Sequence, residues 1–172
     1  MPSTYELIKG ETIASAAASY TFTAIPSTFT DLVVRCSYRG TVAGLNGLQA
    51  RVTFNSVTSG YSFTEIYGTG AAAASNRGSS LANIELDQAA DSAGNTASTF
   101  TSSELYVPNY TVAANKPMSS ISAPEQNSTT AYLSARAGLW SNTAAITSIT
   151  LTANVSNFDV GSSFYLYGIK SS

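Results

Sequence analysis

A chain of 172 residues suits one domain that buries roughly 70% of its unfolded surface. Only 10% of it is charged, far below an average soluble protein, yet 44% is hydrophobic, which excludes a disordered chain. The net charge of -2 leaves no electrostatic footprint for nucleic acid, and no apolar run has the length of a membrane-spanning helix.

The chain in order predicts strands almost throughout. Residues 1–13 hold two short apolar patches, at Tyr5, Leu7 and Ile8 and at Ile13, and read as a hairpin or an N-terminal arm. Glu6 and Glu11 stand where a secretory signal would need an apolar stretch, so none is expected there. Residues 20–25 alternate Tyr20, Phe22 and Ala24 with hydroxyl or aliphatic neighbours, and Pro26 ends them. In 31–39, Leu32, Val34, Cys36 and Tyr38 form an inner face and Val33, Arg35, Ser37 and Arg39 an outer one. The loop 40–47 ends in Asn46-Gly47, a strong turn dipeptide, and 48–55 returns with Leu48, Ala50, Val52 and Phe54 on one face. This predicts a hairpin of 31–39 with 48–55.

Residues 61–67 carry Tyr61, Phe63 and Tyr67 on a common face. Residues 68–80, small and Gly-flanked, read as a long loop, 81–86 as a strand, and 87–98 as a second loop. Strands follow at 100–107, 118–123, 131–139 and 145–155. The last strand, 164–169, is apolar on both faces: Phe164 and Leu166 point one way, Tyr165, Tyr167 and Ile169 the other. Such a strand belongs inside a sheet. Roughly nine or ten strands at this spacing predict an all-β fold: a single antiparallel β-sandwich over 1–172, jelly-roll-like.

Chemistry is scarce. With no histidine, a Ser-His-Asp triad, a Cys-His pair and the common zinc sites drop out. The lone Cys36 forms no internal disulfide and reads as a small buried hydrophobe. Glu85 and Asp87, two apart, could serve as a glycosidase pair but suit an ordinary solvated strand end better. Asp87, Asp91 and Asn95 offer oxygens in one loop, without the spacing of a known calcium loop. No catalytic residue, metal site or cofactor is predicted, and the protein is read as a non-enzyme. The aromatics remain. Trp140 and Tyr61 could form a stacking platform for a glycan or fill the core, and Tyr165, Tyr167 and Ile169 could meet another subunit.

Several segments carry a resemblance. Met1-Pro-Ser-Thr-Tyr-Glu-Leu-Ile8, Thr23-Ala-Ile-Pro-Ser-Thr-Phe-Thr-Asp-Leu-Val-Val-Arg35 and Phe54-Asn55 with Gly60-Tyr61-Ser62 belong to it. So do Leu139-Trp-Ser-Asn-Thr-Ala-Ala-Ile-Thr-Ser-Ile-Thr150 and Gly161-Ser-Ser-Phe-Tyr-Leu-Tyr-Gly-Ile169. Together they resemble small all-β virion proteins of tailed, aquatic, podovirus-like bacteriophages. The resemblance implies a structural component made in the host cytoplasm and carried on the virion. The leading expectation is a capsid decoration, or cement, protein, a homotrimer that binds the major capsid protein at the shell surface and stabilises capsomers. Met1, Pro2, Tyr5, Leu7 and Ile8 of the N-terminal arm are its candidate docking residues. The alternative is a receptor- or glycan-binding module of a tail or head fibre, with Trp140 and Tyr61 as its platform.

Overall fold

The computed structural model describes residues 4–44, 46–127 and 131–170, and among these it is all-β with no helix. Its strands are β1 (Tyr5–Thr12), β2 (Ser19–Phe22), β3 (Asp31–Tyr38), β4 (Ala50–Phe54), β5 (Tyr61–Gly68) and β6 (Ala73–Leu81). The second half adds β7 (Ile84–Glu85), β8 (Thr101–Val107), β9 (Lys116–Ala123), β10 (Leu133–Trp140), β11 (Ile149–Ala153) and β12 (Ser163–Ile169). An eight-stranded sheet runs β1-β12-β3-β8-β9-β10-β5-β6, and a four-stranded sheet runs β2-β11-β4-β7. Every strand ladder is antiparallel, and the two sheets make the expected sandwich. The strands number twelve rather than nine or ten, because weakly patterned edges are strands too.

Period-two alternation places the core. Leu32, Val34, Cys36 and Tyr38 of β3, Phe164 and Leu166 of β12, and Ile149 and Leu151 of β11 are all buried between the sheets. Aromatic rings join the layers. Tyr20 of β2 stacks on Phe164 with centroids 5.0 Å apart, and Phe54 of β4 meets Trp140 of β10 at 5.5 Å. β12 lies between β1 and β3, so the strand apolar on both faces is indeed internal. At Gly168 an added Cβ would lie 2.2 Å from Phe29, whose ring occupies the place of a side chain.

Three local expectations are corrected. β3 and β4 are not a hairpin: β3 pairs with β12 and β8 in the large sheet, β4 with β11 and β7 in the small one. The chain between them crosses the edge of the sandwich. There the buried Arg39 donates to the carbonyls of Asn95, Thr96 and Thr99, and Leu48 bridges to Ala90. Two buried faces facing each other across a core give the same alternation as two strands side by side. Residues 5–12 are not a free arm but the edge strand β1, paired with β12 from Tyr5↔Ile169 to Thr12↔Ser163. Nor is 68–80 a long loop. A turn closed by Thr69 N–H to Ala72 O at 2.9 Å folds β6 back along β5.

Candidate functional site

The small sheet covers only one side of the large one, and the other side is open. Cross-strand pairing lays two rows across this open face. One runs Leu7, Tyr167, Val33, Tyr106, Ser119. The next runs Gly10, Tyr165, Arg35, Glu104, Ile121, Ala135, Ile66, Ser75, from one edge of the sheet to the other. Of the large exposed hydrophobics, Tyr5 (48%), Leu7 (54%), Ile66 (66%), Ile121 (61%) and Leu133 (59%) all project from this face. Singly, exposed hydrophobics mean little; gathered on one face they mark a contact surface.

The face has two halves of different chemistry. Over β1, β12, β3 and β8 it is tyrosine-rich. Tyr165 lies against Gly10, where an added Cβ would fall 2.2 Å from the ring, so glycine lets the ring lie flat over β1. Val33 points outward yet is buried, because its register partners Tyr167 and Tyr106 flank it. Tyr106 donates to Asp31 Oδ2 at 2.8 Å, and the Asp31 carboxylate raises the phenol pKa above its ordinary value. Over β9, β10, β5 and β6 the face is aliphatic and uncharged around Ile66, Ile121, Leu133 and Ala135, where a shallow groove of about 590 Å³ runs between Ile66, Leu133 and Ala73. The exposed ion pair Arg35–Glu104, 2.8 Å, divides the halves.

The candidate docking and subunit-contact residues therefore converge. Tyr5 and Leu7 are cross-strand partners of Ile169 and Tyr167, so the two sets form one surface rather than an arm and a separate interface. Ile8 leaves this surface: it sits at the bulge of β1 and packs, half-buried, against the core. Met1 and Pro2 lie outside the described residues. Trp140 and Tyr61 are corrected as a glycan platform. Both are fully buried, stacked with centroids 6.1 Å apart, and the Tyr61 hydroxyl accepts from the Phe54 N–H at 2.8 Å inside the core. Burial pushes the Tyr61 phenol up to about 12. Their lesson is that aromatics at strand ends in a sandwich of unequal sheets fill the corner where the small sheet stops.

Of the polar groups singled out in sequence, Asp87, Asp91 and Asn95 lie inside, together with an ion pair that the sequence did not mark. Arg136 of β10 and Glu65 of β5 form a buried pair at 2.7 Å, with the guanidinium 4.2 Å over the ring of Phe63. Arg136 also donates to the carbonyls of Glu85 and Asp87, tying the segment after β7 to the large sheet. Asp87 Oδ2 accepts from the Tyr38 hydroxyl and from the Ala50 N–H at 3.1 Å, so one carboxyl joins β3 and β4 to the segment after β7. Burial pushes Asp87 up to about 7, against the pull of those two donors and of Arg136. Glu85 is paired to Arg51 at 3.4 Å and Asp87 is fully enclosed, so the two carboxyls do not face a common cleft. Asp91 is enclosed too, its N–H donating to Thr101 Oγ1 at 2.7 Å. Among the described residues no group of three or more Cys, Asp or Glu is placed to hold a metal ion. Cys36 is buried, and burial together with the nearby Asp87 holds its thiol well above the ordinary range.

No protein-family model matches the chain, and no curated protein matches it either.

Proposed function

We propose that this is a non-enzymatic structural protein of a bacteriophage virion, a decoration protein that docks on the major capsid protein through the tyrosine-rich half of the open face. One observation carries the proposal: Tyr5, Leu7, Tyr165, Tyr167 and Ile169, drawn from both chain ends, form one contiguous outward surface on β1 and β12. Tyrosine supplies large contact area with few rotatable bonds and a hydroxyl that tolerates water, a composition suited to protein contact. The buried carboxyls Asp87 and Glu65 are engaged in holding the sandwich together. A low-charge surface also fits a protein whose solubility depends on a large assembly.

The test is quantitative stoichiometry of purified particles, referenced to the major capsid protein, followed by rebinding to stripped shells. Hundreds of copies per particle are expected. Leu7→Asp and Tyr167→Ala should lower shell occupancy about tenfold or more, with Leu7→Asp, at an exposed position, melting like the parent. A few copies per particle, or full occupancy by both variants, would reject this reading.

A further inference from the structure

Of the five arginines, four are engaged by partners within the chain. Arg35, Arg51 and Arg136 pair with carboxylates, and the buried Arg39 donates to backbone carbonyls. The fifth, Arg77 of β6, is exposed, and among the described residues its guanidinium has neither a carboxylate nor a carbonyl partner. The row Leu7, Tyr167, Val33, Tyr106, Ser119 continues through Ala137 and Thr64 to Arg77, at the far edge of the open face. One row further along the strands, Leu139 stands opposite Ser62, and Ser62 meets a bulge of β6. The register steps from Phe63↔Gly78 to Tyr61↔Leu81, which sets Ser79 and Ser80 against Ser62 alone. Ser80 takes up the extra residue with a left-handed φ of 58° less two, that is 56°. At this bulge lies a concavity of about 480 Å³, its walls including Ser62, Thr64, Arg77 and Ser79 and its base Ala137 and Leu139. Among the described residues the three hydroxyls have no hydrogen-bond partner, and neither a carboxylate nor a second cation lines the concavity.

We propose that this concavity binds a carboxylate-bearing sugar, a uronic or sialic acid unit of an acidic glycan. Charge complementarity sets the class. One unpaired guanidinium matches one carboxylate, which it grips through two parallel N–H donors. A phosphate dianion would call for a second cation, and none lines the site. The hydroxyls of Ser62, Thr64 and Ser79 each donate and accept, as sugar hydroxyls do, so the two sets can satisfy one another. Ala137 and Leu139 offer an apolar base to the C–H face of a pyranose ring. The volume falls within the range of small-molecule sites. A charge that served only to guard the strand edge would need neither the hydroxyls nor the hollow. The site stands at the opposite edge of the large sheet from β1 and β12, so it does not rest on the docking proposed for the tyrosine-rich half.

The experiment is an amide NMR titration of the full chain with glucuronic acid and N-acetylneuraminic acid, each to about 50 mM, beside glucose, acetate and inorganic phosphate. Saturable shifts centred on Ser62, Thr64, Arg77 and Ser79 are expected with at least one acidic sugar and none with glucose. The acid that binds more tightly identifies the source. Acetate should bind about tenfold more weakly, because it leaves the hydroxyls unused. Arg77→Gln should weaken the acidic sugar about tenfold or more, and Thr64→Val about threefold. Both positions are exposed, and matching thermal melts verify that the variants fold. No saturable shift with either acid, shifts centred elsewhere, acetate or phosphate bound as tightly as the sugars, or Arg77→Gln binding like the parent would each overturn the site. So would a parent that binds no sugar beside an Arg77→Gln that self-associates, which would make Arg77 an edge guard only.

Discussion

Asp87 makes stability depend on pH in a direction opposite to that of an ordinary surface carboxylate. Burial raises its folded value to about 7 from an ordinary 3.8. Between those values the folded chain holds a proton that the unfolded chain has released. Its contribution to stability is therefore greatest at and below about pH 4 and falls as pH rises to about 7. At ~1.4 kcal/mol per pH unit, a window of about three units corresponds to a loss of about 4 kcal/mol from this one group. The structural origin is its second oxygen: Oδ2 is held by Tyr38 and Ala50, while the buried Oδ1 has no hydrogen-bond partner in the protein. The assay is chemical denaturation at half-unit steps from pH 4 to 8, on the parent and on Asp87→Asn. Other groups contribute to both curves, so the difference between them isolates Asp87. The parent should lose stability relative to Asp87→Asn across the window, and the variant should be the more stable protein at pH 8. Tyr38→Phe, which removes a donor that holds the value down, should extend the decline above pH 7. Parallel curves for parent and Asp87→Asn would refute the argument that an enclosed, half-satisfied carboxyl bridges β3 and β4.

Phe164→Ala, which removes the ring stacked on Tyr20 and packed 5.1 Å from Phe158, should cost about 3–5 kcal/mol in denaturant unfolding. A cost under about 1 kcal/mol would mean that the site collapses freely and that β12 is peripheral. Arg136→Met leaves Glu65 charged and enclosed, so a loss of about 3–5 kcal/mol is expected, and Arg136→Met with Glu65→Leu should recover much of it. Cys36 should resist thiol reagents in the native protein and react only at the rate of unfolding, read by mass spectrometry against a denatured control.

Alternation in sequence reports burial, and it was a reliable guide wherever burial decides structure. Leu32, Val34, Cys36 and Tyr38 are buried together as their spacing requires, and Phe164 and Leu166 face the core while Tyr165 and Tyr167 face out. What alternation does not carry is partnership. Val52 and Val34 show the same pattern whether their strands lie side by side or face to face, so the crossing at Arg39 was invisible until that side chain was seen anchoring it. The open face was half legible: Tyr165 and Tyr167 were marked by their position opposite core residues and Leu7 as part of an N-terminal arm, but their adjacency depends on the β1–β12 register. Trp140 and Tyr61 misled because residue type alone does not tell a ring at a loop end from a ring in the corner of a core.

β6 is the most instructive miss. Its sequence from Ala73 to Ser80 has no apolar alternation, and for a strand with neither face covered none is required. It is held as a strand by its ladder to β5, not by a pattern of its own. A patternless strand at a sheet edge therefore reports that this chain supplies no cover for it. Ile66 and Leu133, its apolar neighbours toward the sheet centre, are exposed for the same reason. The charged, bulged edge of β1 shows that the same sheet contains the means to block pairing where pairing is to be avoided. On β6 the same means stand beyond residue 76, as Arg77 and a register shift after Gly78.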